Sequence, residues 1–160
     1  MQDKAKNSVP KLKYKSFTYK TSLRWAENRA GTIGSGDKPP LRVASPPEFQ
    51  GEEGVWSPED LFVAAVESCT MTTFLAFAHR RNLSFVSYTS SAEGLLEFKD
   101  GSYQFTKIIV KPEVVIETAE DLQNAEKIME QAHKYCLIAN SIKTDVVIQP
   151  DITSVSDGSS

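Results

Sequence analysis

Between Lys11 and Trp25 the residues Tyr14, Phe17, Tyr19, Leu23 and Trp25 recur mostly at every second position, with Lys and Ser between them. That alternation predicts a half-buried strand or hairpin. Gly31, Gly34 and Gly36 then read as a turn-rich passage leading through Pro39-Pro40 to a short third strand at Leu41–Ala44 and a long loop from Pro46-Pro47. From Pro58 to about Arg80 the periodicity changes to helical. Ser57 suits the cap, Pro58 the first helical position, and Glu59 and Asp60 the positive end of the helix dipole. The apolar residues of this helix, among them Leu61, Phe62, Val66, Met71, Phe74 and Phe77, fall all round its circumference. Such a helix is expected to be central and buried.

Two strand-like runs follow, Ser84–Phe98 and Tyr103–Glu117, joined by Lys99-Asp100-Gly101-Ser102, where the Asp-Gly pair signals a tight hairpin. A second helix is predicted after Thr118, capped with Asp121 three residues on, its apolar face being Leu122, Ala125, Ile128, Met129, Ala132 and Cys136. A last strand spans Thr144–Gln149, and residues 151–160 read as a polar tail. The order β-β-β-α-β-β-α-β predicts an α+β fold of antiparallel sheets around two long helices. One modest sheet and one helix are little cover for a helix apolar on every side, so a homodimer with buried central helices is expected.

The chain has 160 residues and 17.7 kDa, enough for a single domain over 1–160 with its ordered core at about 11–150 and no need of a stabilising disulfide. The net charge of −3 comes from interspersed acids and bases and offers no basic field for phosphates, which disfavours nucleic acid as a partner. Met1–Ser8 carries charge without an apolar stretch behind it, and the longest apolar run, Leu61–Val66, is too short to cross a bilayer. A soluble, cytoplasmic protein with no membrane partner is therefore expected.

In a reducing compartment the two cysteines, Cys69 and Cys136, have three plausible roles: inert core thiols, metal ligands or a cycling redox pair. His133 and Lys134 stand close enough in sequence to favour a Cys136 thiolate. Zinc is disfavoured because His79 lies ten residues beyond Cys69, about 15 Å of helical rise. There is no Cys-x-x-Cys pair and no Gly-x-Ser-x-Gly elbow.

The run Ser57-Pro58-Glu59-Asp60-Leu61-Phe62-Val63-Ala64-Ala65, with Cys69 ten residues after Glu59, and the later Ala132-His133-x-x-Cys136 with Asn140-Ser141, resembles the OsmC/Ohr family. The resemblance covers roughly residues 15–149, including the glycine-rich approach and the Glu52–Gly54 turn. It implies an intertwined α+β homodimer that reduces organic hydroperoxides in oxidative or osmotic stress defence, without metal, haem or flavin. It also implies that Cys69 is peroxidatic, that Cys136 is resolving, that Glu59 is the assisting carboxylate, and that an external thiol or dithiol restores the pair.

The family's arginine falls nearest Arg29, with Arg24 and Arg42 as rivals, and Glu48 stands where another branch has its arginine before Phe-x-Gly-Glu. Leu137-Ile138 follows Cys136 where many peroxidases of the family have proline. About 15 Å of rise separates Glu59 from Cys69 on an unbroken helix, so Glu59 either serves the thiol of a partner chain or reaches its own only if the helix bends or an arginine bridges the gap. Two functional classes stay open. One is a hydroperoxide reductase with an apolar pocket near Phe62, Met71 and Phe74; the other is a non-catalytic relative that binds a small apolar or electrophilic ligand, or senses oxidants, through Cys69 alone.

Overall fold

The computed structural model describes residues 14–158. Strands β1 (Ser22–Glu27), β2 (Ala30–Gly34) and β3 (Leu41–Ala44) form an antiparallel sheet in that order. The expected first strand is thus displaced: residues 14–20 are not in a strand, and Lys11–Lys13 lie outside the described residues. The predicted glycine turn is instead β2. Gly31 sits opposite Trp25, and a Cβ there would lie 2.7 Å from the Arg24 carbonyl oxygen, so this glycine permits close strand pairing and does not mark a turn. The chain reversal falls one step earlier, at Asn28 with φ of 45°.

Helix α1 (Pro58–Arg80) begins where the sequence predicts. Ser57 Oγ accepts from the Asp60 amide, and the Asp60 carboxylate accepts from the Ser57 amide, a reciprocal cap that satisfies two otherwise orphaned donors. Strands β4 (Phe85–Lys99) and β5 (Ser102–Ile116) form a long antiparallel hairpin. Its tip residues Asp100 and Gly101 have φ of 53° and 85°, as a tight turn matched to strand twist requires.

Helix α2 (Leu122–Tyr135) starts through a 3-10 turn at Ala119–Asp121, where Thr118 Oγ1 donates to Asp121 Oδ2 at 3.0 Å. It crosses back over the sheet, so β6 (Asp145–Ile148) pairs parallel with β5, as does β7 (Asp151–Ser154). Two expectations change here. The second sheet is mixed, since a helical crossover returns the chain in the starting direction, and part of the predicted tail is a strand. β6 covers Lys107–Val110 and leaves the ladder at Glu113–Ile116 open, which β7 fills after the break at Pro150. Proline cannot donate to a ladder, so one run becomes two short strands.

The core lies between both helices and the mixed sheet, with Phe74, Ile116, Ile128 and Ala132 at its centre. By length and apolar content α1 would cross a bilayer, but it packs along α2 and the β4–β5 hairpin. Only its i, i+4 stripe Val66, Thr70, Phe74 and Ala78 is fully buried; Ser68, Thr72 and Ala76 on another face are exposed. The helix expected to be covered all round therefore has an open side. β1 is exposed throughout, with Leu23 at 68% and Trp25 at 72%.

Candidate active site

Cys69 lies beside the buried stripe of α1, half exposed, while Cys136 is fully buried at the C-terminal cap of α2. The packing of α1 on α2 brings the two thiols close enough for each to shift the ionisation of the other. Both are free. Thr73 Oγ1 lies 4.0 Å from Cys69 Sγ, and Thr70 Oγ1 lies 4.0 Å from Cys136 Sγ.

The chain leaves α2 at Cys136 with φ of −63° and ψ of 110°. Two motif residues then hold the exit: Asn140 Nδ2 donates to the Lys134 carbonyl at 2.9 Å and Ser141 Oγ to the Leu137 carbonyl at 2.7 Å. The Asn140 amide donates to the Cys136 carbonyl at 3.0 Å. This turn lies beside the thiols, Leu137 sharing a cavity wall with Cys69.

These surroundings separate the two sulfurs. Burial pushes the Cys69 thiol up, but the amide of Ile138, the Cys136 thiol, the Thr73 hydroxyl and the amide of Leu137 outweigh it and hold Cys69 below the ordinary thiol value. For Cys136 burial dominates; the Ala139 amide and Thr70 oppose it, a neighbouring Cys69 charge adds to it, and the thiol stays above the ordinary value. The two thiols are thus shifted in opposite directions, Cys69 toward the thiolate and Cys136 toward the neutral thiol, so Cys69 is the one more easily ionised.

Cys69 opens on a cavity of about 750 Å³ whose walls include Thr72, Phe77, Arg80, Tyr135 and Leu137. The predicted pocket at Phe62, Met71 and Phe74 is not there. Phe74 is wholly buried against Phe85 and Tyr88, and Phe62 packs on Phe105 with ring centroids 5.0 Å apart. Helical phase is the reason: Cys69, Thr73 and Phe77 share one i, i+4 row, whereas Phe74 belongs to the core row.

Glu59 is at the far end of α1, in a separate cavity of about 760 Å³ lined by Phe49, Trp56, Val63 and Phe105 among others. The helix is unbroken between them, so Glu59 and Cys69 do not meet within one chain. Glu59 Oε2 is buried and has no hydrogen-bond partner there. Arg29, on the β1–β2 turn, donates to the Phe49 carbonyl and, at 3.0 Å, to Gln50 Oε1, bracing the 3-10 turn Pro47–Phe49 that walls the Glu59 cavity. Arg42 is engaged elsewhere: it chelates Glu52 at 2.6 and 3.0 Å and reaches Glu27 at 3.2 Å. That pairing raises the Arg42 value and lowers Glu52. Arg24 sits on exposed β1.

The structure thus brings Cys69 near Cys136, puts Glu59 in a separate cavity, and leaves Arg29 outside that cavity, bracing the turn that forms one of its walls. Among the described residues no three His, Cys, Asp or Glu converge as a metal site, and His133 is an exposed residue of the last turn of α2. Sequence reasoning missed the cavity beside Cys69 walled by Phe77, Arg80, Tyr135 and Leu137, because the way α1 faces α2 carries no local signature.

Residues 51–151 match the family model described as OsmC-like protein. The chain is 28% identical over 130 residues to the uncharacterized protein YmaD of Bacillus subtilis, covering 78% of this chain and 86% of that protein. It is 27% identical over 139 residues to an organic hydroperoxide resistance protein-like 2 of Staphylococcus epidermidis, covering 85% and 96%. The solved structure of an OsmC-like protein of unknown function from Vibrio cholerae superposes with a TM-score of 0.77 at 29% identity, covering 84% of this chain and 99% of that one.

Proposed function

The chain belongs to the OsmC-like protein family, and on that footing we propose that it is a cytoplasmic homodimer that reduces organic hydroperoxides with a pair of thiols. The observation that carries this reading is the nearness of two free thiols shifted in opposite directions, Cys69 below and Cys136 above the ordinary thiol value. The Cys69 thiolate attacks the terminal oxygen of ROOH, the S–O bond forms as the O–O bond breaks, and the alkoxide takes a proton to leave as ROH. Cys136 then attacks the sulfenic sulfur, water departs, and a disulfide forms. An external dithiol reduces that disulfide by two exchanges and is itself oxidised. The second cysteine already near the first favours this cycle over ligand binding or sensing by Cys69 alone.

The remaining site residues support a composite site. A buried carboxylate oxygen without a partner, at Glu59, is costly until a donor reaches it. The open face of α1 and the exposed apolar residues of β1 are surfaces a second copy would cover. In this reading each active site takes Cys69 and Cys136 from one chain and the Glu59 cavity, with the turn that Arg29 braces, from the other; on assembly the Arg29 guanidinium turns from Phe49 and Gln50 to the Glu59 carboxylate and orients the peroxide.

Mixing the variants Cys69→Ser and Glu59→Gln tests this. Each is expected to be inactive alone. Random reassortment after mild unfolding makes half of the dimers mixed, each with one intact site, so peroxide consumption should recover to about a quarter of the wild-type rate. No recovery, with mixed dimers demonstrated by native mass spectrometry, would show that Glu59 does not act across the dimer. A wild-type protein that consumes no peroxide would favour the single-thiol binding reading.

A further inference from the structure

The cavity onto which Cys69 opens has a positive far end. Arg80 and Arg81, at the C-terminal end of α1, line it with Phe77, Tyr135 and Leu137, and no acidic residue is among its walls. Neither arginine takes part in an ion pair among the described residues, where the ion pairs are those of Arg42 and Lys111. Arg80 is nonetheless placed: its guanidinium carbon stands 5.6 Å from the centroid of the Phe77 ring, and that ring lies 5.7 Å from Tyr135. A cation over an aromatic face is positioned without losing its charge. Lys134 Nζ, 5.5 Å from the Tyr135 ring, adds a further positive group at this end. Phe77 is two turns along α1 from Cys69, so the Arg80 charge is about 12 Å of helical rise from the sulfur. The Glu59 cavity has the opposite sign, with Glu48, Glu59, Asp60 and Glu67 in its walls.

We infer that Arg80 and Arg81 are specificity-determining residues that select a ligand with an anionic end, an aliphatic chain bearing a carboxylate at one end and its hydroperoxide at the other. Each part of such a ligand answers a feature of the cavity. The guanidinium fork matches a carboxylate in charge and shape, Phe77, Tyr135 and Leu137 offer apolar surface to the chain, and the spacing leaves the other end at Cys69. In the composite site proposed above the acids of the partner's second cavity face Cys69. They repel a carboxylate there but not a neutral hydroperoxide, so opposite charge at the two ends fixes which way the ligand enters. Arg80 and Arg81 also suit the negative end of the helix dipole, a role that would be indifferent to the charge of a ligand.

The inference rests on the peroxidase reading, and its test separates binding from turnover so that either can fail alone. The reduced full-length protein is titrated calorimetrically with ω-hydroxydecanoate, which carries a hydroxyl where the substrate has its hydroperoxide and cannot react, and with the methyl ester of that acid. Wild type is expected to bind the acid about tenfold more tightly than the ester, as a charge-assisted pair provides, with the gap narrowing as salt is added. Arg80→Gln combined with Arg81→Gln should bind both ligands alike, at the wild-type affinity for the ester, and each single variant should close part of the gap, which decides the matter if the double variant is misfolded by circular dichroism. Arg80→Lys keeps the charge and should keep most of the preference. Loss of a merely structural role would weaken acid and ester together. Equal wild-type affinities for the two, no binding of the acid, or variants that retain the gap overturn the inference. In turnover, the KM for ω-hydroperoxydecanoate should rise in the double variant while its kcat and the KM for the methyl ester stay unchanged. Charge-dependent binding without consumption of any hydroperoxide would refute the peroxidase reading alone; consumption of the neutral ester with no preference for the acid would refute the inference alone.

Discussion

Gly94 of β4 allows the sheet to approach α1 closely, and filling that position has a calculable cost. A Cβ at Gly94 would stand 2.5 Å from Val63 Cγ2, 2.8 Å from Phe105 Cε1 and 3.1 Å from Phe105 Cδ1. Neither neighbour yields easily: a β-branched residue in a helix has one strongly preferred rotamer, and the Phe105 ring is held against Phe62. Overpacking of this kind costs roughly 1–3 kcal/mol. Because Gly94 does not occupy the left-handed region, alanine recovers about 0.5–1 kcal/mol through strand entropy. The net expectation for Gly94→Ala is a loss of about 1–2 kcal/mol, or roughly 2–8 °C in Tm for a chain of this length. Urea unfolding at fixed protein concentration measures it, since an oligomer's stability depends on concentration. Val63→Ala in the same chain removes the nearest clashing atom, so the double variant should lose less than the sum of the two single losses. Glu59 lies four residues before Val63 on α1, so the same displacement should lower peroxide consumption while Cys69 alkylation stays as in wild type. A Gly94→Ala protein as stable as wild type, or strictly additive losses in the pair, would refute the steric argument.

The two thiols make opposite contributions to stability as pH changes. Cys69 is held below its unfolded value, so its contribution is complete above the ordinary thiol range and is lost as pH falls through its folded value; Cys136 is held above, so its contribution is complete below that range and is lost as pH rises through its folded value. Denaturant midpoints measured across that range should rise less with pH in Cys69→Ser and fall less in Cys136→Ser than in wild type; two variants that parallel the wild type would contradict the assignment. Arg42→Ala removes exposed ion pairs with Glu52 and Glu27, and Cys69 alkylation and peroxide turnover should both be unchanged, whereas Arg29→Ala should reduce turnover. Equal losses in the two would remove the basis for choosing Arg29.

Elements whose boundaries rest on local chemistry were legible in the chain alone. The reciprocal cap at Ser57 and Asp60 and the Asp100-Gly101 turn each involve residues within a few positions of one another, so α1 and the β4–β5 hairpin lie where their patterns predict. Cys69 and Cys136 could be named as candidates because thiols are few and their motifs specific. The displaced first strand, the mixed sheet and the β7 strand depend on partners distant in sequence: Gly31 is shaped by Arg24 across a ladder, and β7 exists because β5 extends past β6. Which helical row of α1 faces the core and which faces Cys136 was likewise undecidable from a helix apolar on every side, and so the pocket was expected at Phe74 when the cavity lies along Thr73 and Phe77. Sequence by itself determined the two thiols and the helices that carry them. Only tertiary packing decided that these thiols lie near each other and that Glu59 faces a different cavity, because contact between helices is set by long-range packing and leaves no local mark on the chain.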